Sequence, residues 1–278
     1  VSRDSSQLAP QHDEVYYGLN TFVMLRRSRR GRLQACASLL VAIATPLHAQ
    51  TTPSVSIAVN AGAASDYEFR GVDQTAGRAE GFGGLDFSRG DFYVGTWASN
   101  VDLKPYGDAR ASAEIDAYGG WRPTLFGYDL DLGAIAYTYV DPWMRDDFVE
   151  AYAKASRAIG PVSAGLSIYA SPQYPRAAGA GAYVEGKTAY ALTRKFTLSA
   201  ALGDQYEAHA LGPAPCLPTA EGCTGPYRDL TYVDWNVGGS YTLNDQIGLD
   251  LRYTDTDAHG LGSPYRARIV LSARATFP

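Results

Sequence analysis

YRARIVLSARATF, residues 265–277, decides how the chain is read. Tyr265, Ala267, Ile269, Leu271, Ala273, Ala275 and Phe277 alternate with Arg266, Arg268, Val270, Ser272, Arg274 and Thr276. Successive side chains of a β-strand point to opposite faces, so one face is apolar and the other is mostly polar, with arginines at 266, 268 and 274. The apolar face has an aromatic at each end and aliphatics between. That suits a lipid-facing strand, with a ring at each interface and enough length to cross a hydrocarbon core when tilted.

Working outward, the pattern recurs in about twelve segments, the number and length expected of a transmembrane barrel. They fall near 55–70, 80–88, 91–102, 111–122, 128–140, 148–159, 162–171, 182–192, 196–207, 230–243, 247–256 and 265–277. Val162, Ala164, Leu166 and Ile168 oppose Ser163, Gly165, Ser167 and Tyr169, and Ile247, Leu249, Leu251 and Tyr253 oppose Gly248, Asp250, Arg252 and Thr254. Residues 148–159 alternate less cleanly. The connections alternate between tight turns (89–90, 123–127, 160–161, 193–195, 244–246) and longer links after Arg70, Asp102, Val140, Ser171, Glu207 and Thr256. Short turns on one rim and long loops on the other describe an outer-membrane barrel with both termini in the periplasm. A secreted β-sandwich or lipocalin-like barrel also alternates, but it calls for bulkier apolar positions and gives no reason for the short-long rhythm.

The chain before this region reads as processing sequence. Residues 1–23 are polar and aperiodic and are taken as an upstream extension. From Met24, Arg26, Arg27, Arg29, Arg30 and Arg32 form a basic region, 33–44 an apolar one, and Leu47-His48-Ala49 a cleavage site, so 24–49 read as a signal peptide and 50–278 as the barrel. The apolar run is too short for a transmembrane helix. Arg32 stands where a twin-arginine signal needs an apolar residue, and arginines precede Leu33-Gln34-Ala35-Cys36, which argues against a lipoprotein box. Cleavage removes six of the 24 basic and three of the 29 acidic side chains, leaving a mildly acidic chain unsuited to nucleic acid. The 20 Tyr and 29 Gly, with 19% charged residues and no helical period, fit one all-β domain of strands and turns.

SDYEFRG (65–71) with Gln74-Thr75, GGLDFS (83–88), GTWASNVD (95–102) and EIDAYGG (114–120) resemble the signature of the TorF-type porin family, conserved outer-membrane proteins of proteobacteria. The resemblance runs from about Val55 to the C-terminus and implies an outer-membrane barrel of generic porin character, with no catalytic residues or cofactor. Two positions depart from it. Glu68 stands where the first strand should carry an apolar residue, and the chain ends Phe277-Pro278 rather than on the aromatic.

Inward-facing candidates are Asp86, Glu114, Asp116, Asp234, Asp250, Arg252, Arg266, Arg268 and Arg274. Either they line a water-filled pore and set a transverse field for passing solutes, or neighbours such as Asp250, Arg252 and Arg268 pair and fill the barrel. Trp97, Ser99 and Asn100 read as a lumenal aromatic filling space beside a turn-serving Asn, with a ligand-gripping patch as the alternative. His209 and His259 are the histidines left for a surface hydrolase, and no motif marks a nucleophile. Cys216 and Cys223 lie in a proline-rich link, where an exported protein would form a disulfide. Asp255, Asp257 and His259 begin like a calcium loop, but Arg266 stands where the closing Glu belongs. Gly81, Gly83 and Gly84 lie in a strand with no helix after it, so they serve packing rather than phosphate binding. The expected function is passive diffusion of small hydrophilic solutes. Its expected partners are outer-membrane lipid and the assembly machinery, and a non-conducting barrel with partner-binding loops is the alternative.

Overall fold

The computed structural model describes residues 55–143, 146–175, 179–210 and 228–278. The expected extension and signal peptide lie outside these. The strands are β1 (Val55–Ala64), β2 (Glu68–Phe69), β3 (Val72–Asp73), β4 (Glu80–Arg89), β5 (Phe92–Asn100), β6 (Ala113–Trp121), β7 (Thr124–Leu125), β8 (Tyr128–Tyr139), β9 (Phe148–Ile159), β10 (Val162–Ser171), β11 (Gly181–Ala191), β12 (Phe196–Ala210), β13 (Arg228–Thr242), β14 (Ile247–Thr256) and β15 (Arg268–Phe277). All but β2 and β3 join in one antiparallel sheet, in which β7 is a two-residue stub on the turn before β8. The other twelve form the wall. β1 pairs with both β4 and β15, and β6 with β8, so the wall closes and its backbone donors and acceptors are satisfied around the ring.

Alternation sets the facing. On β14, Leu249, Leu251 and Tyr253 are exposed while Gly248, Asp250, Arg252 and Thr254 are buried. The exposed apolar set continues around the barrel through Val59, Leu85, Val94, Leu166, Leu202 and Leu271. So continuous a band would be costly in water and fits a hydrocarbon surround. Phe92 and Trp121 stack at 6.5 Å near the short-turn rim, and Tyr128 and Phe277 are exposed on the same rim, where interfacial rings belong. Inside, tyrosines lie flat over glycines: Tyr118 covers Gly95 and Tyr183 covers Gly203, where a Cβ would overlap the ring. The large tyrosine and glycine content is thus a way of tiling a narrow interior.

Two strand ends differ from the sequence reading. The first wall strand stops at Ala64, and residues 65–79 turn back into the lumen with β2 and β3 as a hairpin. Glu68 therefore belongs to no wall strand. The last strand starts at Arg268, because Ser263–Tyr265 form a 3-10 turn around Pro264, which has no N–H for a ladder. Tyr265 instead meets Tyr232 edge-on at 5.6 Å, so β15 carries an outward aromatic at Phe277 but not at its other end. The unclear alternation of 148–159 has a physical source. Phe148, Glu150 and Tyr152 all point into a packed interior, so two inward positions are as aromatic as the lipid face.

Candidate functional site

The hairpin at 68–73 crosses the long-loop half of the lumen. Phe69 pairs with Val72 around Arg70 and Gly71, whose φ values of 52° and 73° are both positive. That is the backbone of a tight two-residue hairpin turn, which favours glycine. A Cβ on Gly71 would come 2.6 Å from Thr256 Cγ2 and 2.7 Å from Asp234 Cβ, so the tip has no room for a side chain there. The base is pinned by its own polar groups. Thr75 Oγ1 donates to Asp66 Oδ1 at 2.7 Å, the Tyr67 N–H donates to Thr75 Oγ1 at 3.0 Å, and the Gln74 N–H donates to the Tyr67 carbonyl at 2.8 Å. The motif of 65–71 with Gln74-Thr75 is this folded unit.

Its anchors reach most of the way around the wall. Arg70 is fully buried and forks onto Glu150 of β9, with Nη1 to Oε1 at 2.9 Å and Nη2 to Oε2 at 2.7 Å. Nη1 also donates to Gln205 Oε1 of β12 at 3.1 Å, and the guanidinium lies 4.4 Å from the Tyr183 ring centre and 5.0 Å from that of Tyr169. On the other side, Tyr67 Oη donates to Glu114 Oε1 of β6 at 2.8 Å, and its ring meets Trp97 at 5.5 Å. Arg268 of β15 pairs with Glu68, lies 3.4 Å from Asp66 Oδ2, and donates to the Pro264 carbonyl at 2.8 Å. Bidentate charge-assisted bonds of this kind are among the strongest a protein makes.

Burial pushes the Glu68 carboxyl up to about 7 against the pull of Arg268, with Asp66 adding repulsion. Asp66 is also raised to about 7, first by burial and then by Asp73, while Thr75 and Arg268 act the other way. The physical situation is two link carboxyls sharing one cation in a poorly hydrated site.

The remaining candidates are distributed as follows. Asp86 accepts from Tyr118 Oη at 2.8 Å. Asp250 and Arg252, two apart on β14, bond to each other at 3.0 and 3.2 Å, and Arg252 also reaches Asn236 at 2.7 Å and Ser199 at 3.0 Å. Asp234 accepts from Tyr183 Oη at 3.2 Å. Asp116 is fully buried facing the interior, and Arg274 is half-buried on the inward side of β15. Arg266 differs from expectation: it precedes β15, is exposed and has no place on the inward face. Trp97 is buried and stacks on Phe82, while exposed Asn100 accepts from the Gly81 N–H at 2.7 Å and donates to the Ala79 carbonyl at 3.2 Å. The hairpin itself, Arg70, Glu150 and Gln205 were not singled out by the sequence reading. The signal for them was present in the charged SDYEFRG stretch and in a lone Glu at an inward position of β9.

Asp255 Oδ1 lies 2.6 Å from His259 Nε2, a pair that a hydrolase would use, but no serine is bonded to that ring among the described residues. His209 is exposed near the end of β12. Cys216 and Cys223 lie outside the described residues.

In fold the chain is similar to the KdgM porin, at 8% identity and a TM-score of 0.52 over 80% of this chain and 99% of that one. It is also similar to the NanC porin, at 11% identity and a TM-score of 0.47 over 80% and 98%. A further match is Omp33 of Acinetobacter baumannii, at 10% identity and a TM-score of 0.43 over 81% and 98%. The first match shows a porin-type barrel fold. No curated protein matches the sequence. The profile of Gcw_chp, described as a bacterial protein of unknown function, matches residues 48–277, and the chain belongs to that family.

Proposed function

We propose that the protein is an outer-membrane channel for passive diffusion of small hydrophilic solutes, shut in this conformation by the hairpin of residues 65–79. The apolar outer band and the charged interior support a barrel seated in lipid with a solute path inside it, as does the resemblance to TorF-type porins. In this reading the termini and short turns are periplasmic, the long links face outward, and the outer-membrane machinery assembles the barrel. The observation that carries the closed state is Arg70, fully buried at the hairpin tip and clamped to the opposite wall. A filler held by one end and pinned by polar contacts can withdraw without dismantling the wall, because β2 and β3 pair with each other and with no wall strand.

The test is planar-bilayer conductance of the mature chain beside a variant in which residues 66–74 are replaced by a short Gly-Ser link. The mature chain should conduct rarely, and the variant should open in discrete, long-lived steps. A variant that refolds as a barrel and never conducts would overturn the channel. It would favour the second reading, a non-conducting barrel that works through its rim, to which the dense buried bonding around Arg70 already lends support.

A further inference from the structure

Arg70 sits in a cage built almost entirely by the wall. Glu150 supplies both carboxylate oxygens, Gln205 its amide oxygen, and Tyr169 and Tyr183 their ring faces, from four successive strands β9 to β12. Register holds the cage together independently of the hairpin: Tyr169 is directly opposite Tyr183, and Tyr183 directly opposite Gln205. Tyr137 Oη, also on the wall, donates to Glu150 Oε2 at 3.3 Å and holds the carboxylate in place. From the hairpin itself, Phe69 adds a ring 4.7 Å from the guanidinium.

We infer that this cage is a binding site for organic cations carrying a guanidinium or amidinium head, and that Arg70 is its tethered occupant. The inference rests on the hairpin being withdrawable, as in the reading above. Three features select the ligand class. A carboxylate offered end-on to a planar fork matches guanidinium geometry and is wasted on a spherical ammonium. Two tyrosine faces at 4.4 and 5.0 Å favour a weakly hydrated organic cation. A hard metal ion would require more oxygen ligands than one carboxylate and one amide provide. When Arg70 leaves, Glu150 remains as a buried carboxylate without its cation, a costly state that a soluble guanidinium relieves. The channel would then admit such solutes in preference to anions, with its own arginine competing for their place.

The experiment is chemical rescue of Arg70→Ala in the full mature chain, with methylguanidinium as the probe and urea as its neutral counterpart of similar shape. At ten times its dissociation constant, methylguanidinium should raise the folded-to-unfolded ratio of the variant about tenfold. Neither urea nor the same probe on the unsubstituted protein should do so, and adding Glu150→Gln to the variant should abolish the response. If Arg70→Ala refolds poorly, refolding yield with and without the probe becomes the readout, with the same expectations. An equal response to urea, a response that survives Glu150→Gln, or none at all would overturn the site. Failure of the Gly-Ser variant to conduct would leave a positive rescue standing and would sink only the channel.

Discussion

The two halves of the lumen hold similar residues in different states. Towards the long links, Arg70 and Glu150 are each 0% exposed and bonded through both terminal guanidinium nitrogens. Towards the short turns, Arg122 and Asp131 pair at 3.2 Å with 21% and 16% of their side chains exposed, and Lys154 and Lys187 stay half-buried. The hairpin accounts for the dryness around Arg70, since its tip packs there from the long-loop rim; Asp250 and Arg252, nearer the short turns, are dry without it at 2% and 3% exposure, held by Asn236 and Ser199. The same kind of ion pair is therefore a structural clamp at Arg70 and a partly hydrated lining at Arg122. Charge alone does not tell a filled lumen from a lined one; the degree of solvent withdrawal does.

The largest test of that contrast is Glu150→Ala. It leaves the Arg70 guanidinium buried without its carboxylate, which costs about 3–5 kcal/mol. The hairpin should undock while the barrel stays folded, seen as rapid amide exchange across residues 66–75 with the wall strands still protected. Wall protection lost together with the hairpin would mean that the clamp holds the barrel, not the gate. Gly71→Ala comes next. Its positive φ and the nearby Thr256 and Asp234 oppose a methyl group, and the strain of about 1–3 kcal/mol should loosen the tip without touching any charge. An unchanged exchange rate at Arg70 would show that the tip is less confined than its contacts imply.

The wall was legible in the sequence because lipid on one side and polar filling on the other impose a period of two. Leu249 to Tyr253 and Ile269 to Phe277 show it cleanly. The hairpin was not legible, for the reason that makes it interesting: residues 65–73 follow a strand, have strand-like composition and carry charges that read equally well as lumen lining. Nothing local to Arg70 indicates that its partners are 80 and 135 residues away. Glu68 broke the apolar face beyond Ala64, where the wall strand ends, and the Arg-Gly pair is the tip of the hairpin that follows. Arg266 was misplaced because the alternation of 265–277 continues through a proline turn that no longer belongs to the ladder.

A smaller effect follows from the raised carboxyls of the hairpin. Asp66 and Glu68 each rise to about 7 when docked, from 3.8 and 4.5 in an ordinary setting. The docked hairpin therefore binds protons more tightly than the withdrawn one. Its docking is strongest below pH 4 and weakens as pH rises towards 7, by at most about tenfold per pH unit for each group. Above that the penalty is constant. Open probability in bilayers should thus increase between pH 5 and 7.5, and Glu68→Gln should flatten the profile. An opening that increases on acidification would contradict the assignment, leaving Arg268, which both carboxyls share, as a simple ion-pair partner.

The smallest effect belongs to the short-turn half, and it is where the comparison can be sharpened most. Arg122 lies 3.7 Å over the Tyr93 ring and bonds to Asp131, whose other oxygen accepts from Tyr93 Oη at 2.6 Å. Partial hydration already offsets much of its Coulomb energy, so Arg122→Ala should cost no more than about 1 kcal/mol from the pair, with some lost packing of its stem on the ring. Salt separates the two pairs further. Raising ionic strength from 0.1 to 1 M shortens the screening length from about 10 to about 3 Å, which weakens a hydrated pair and hardly touches a dry one. The melting difference between Arg122→Ala and the unsubstituted protein should shrink in high salt, while that for Glu150→Ala should persist. If both differences fell together, water would have to reach Arg70 as readily as Arg122, and the upper lumen would be lined rather than filled.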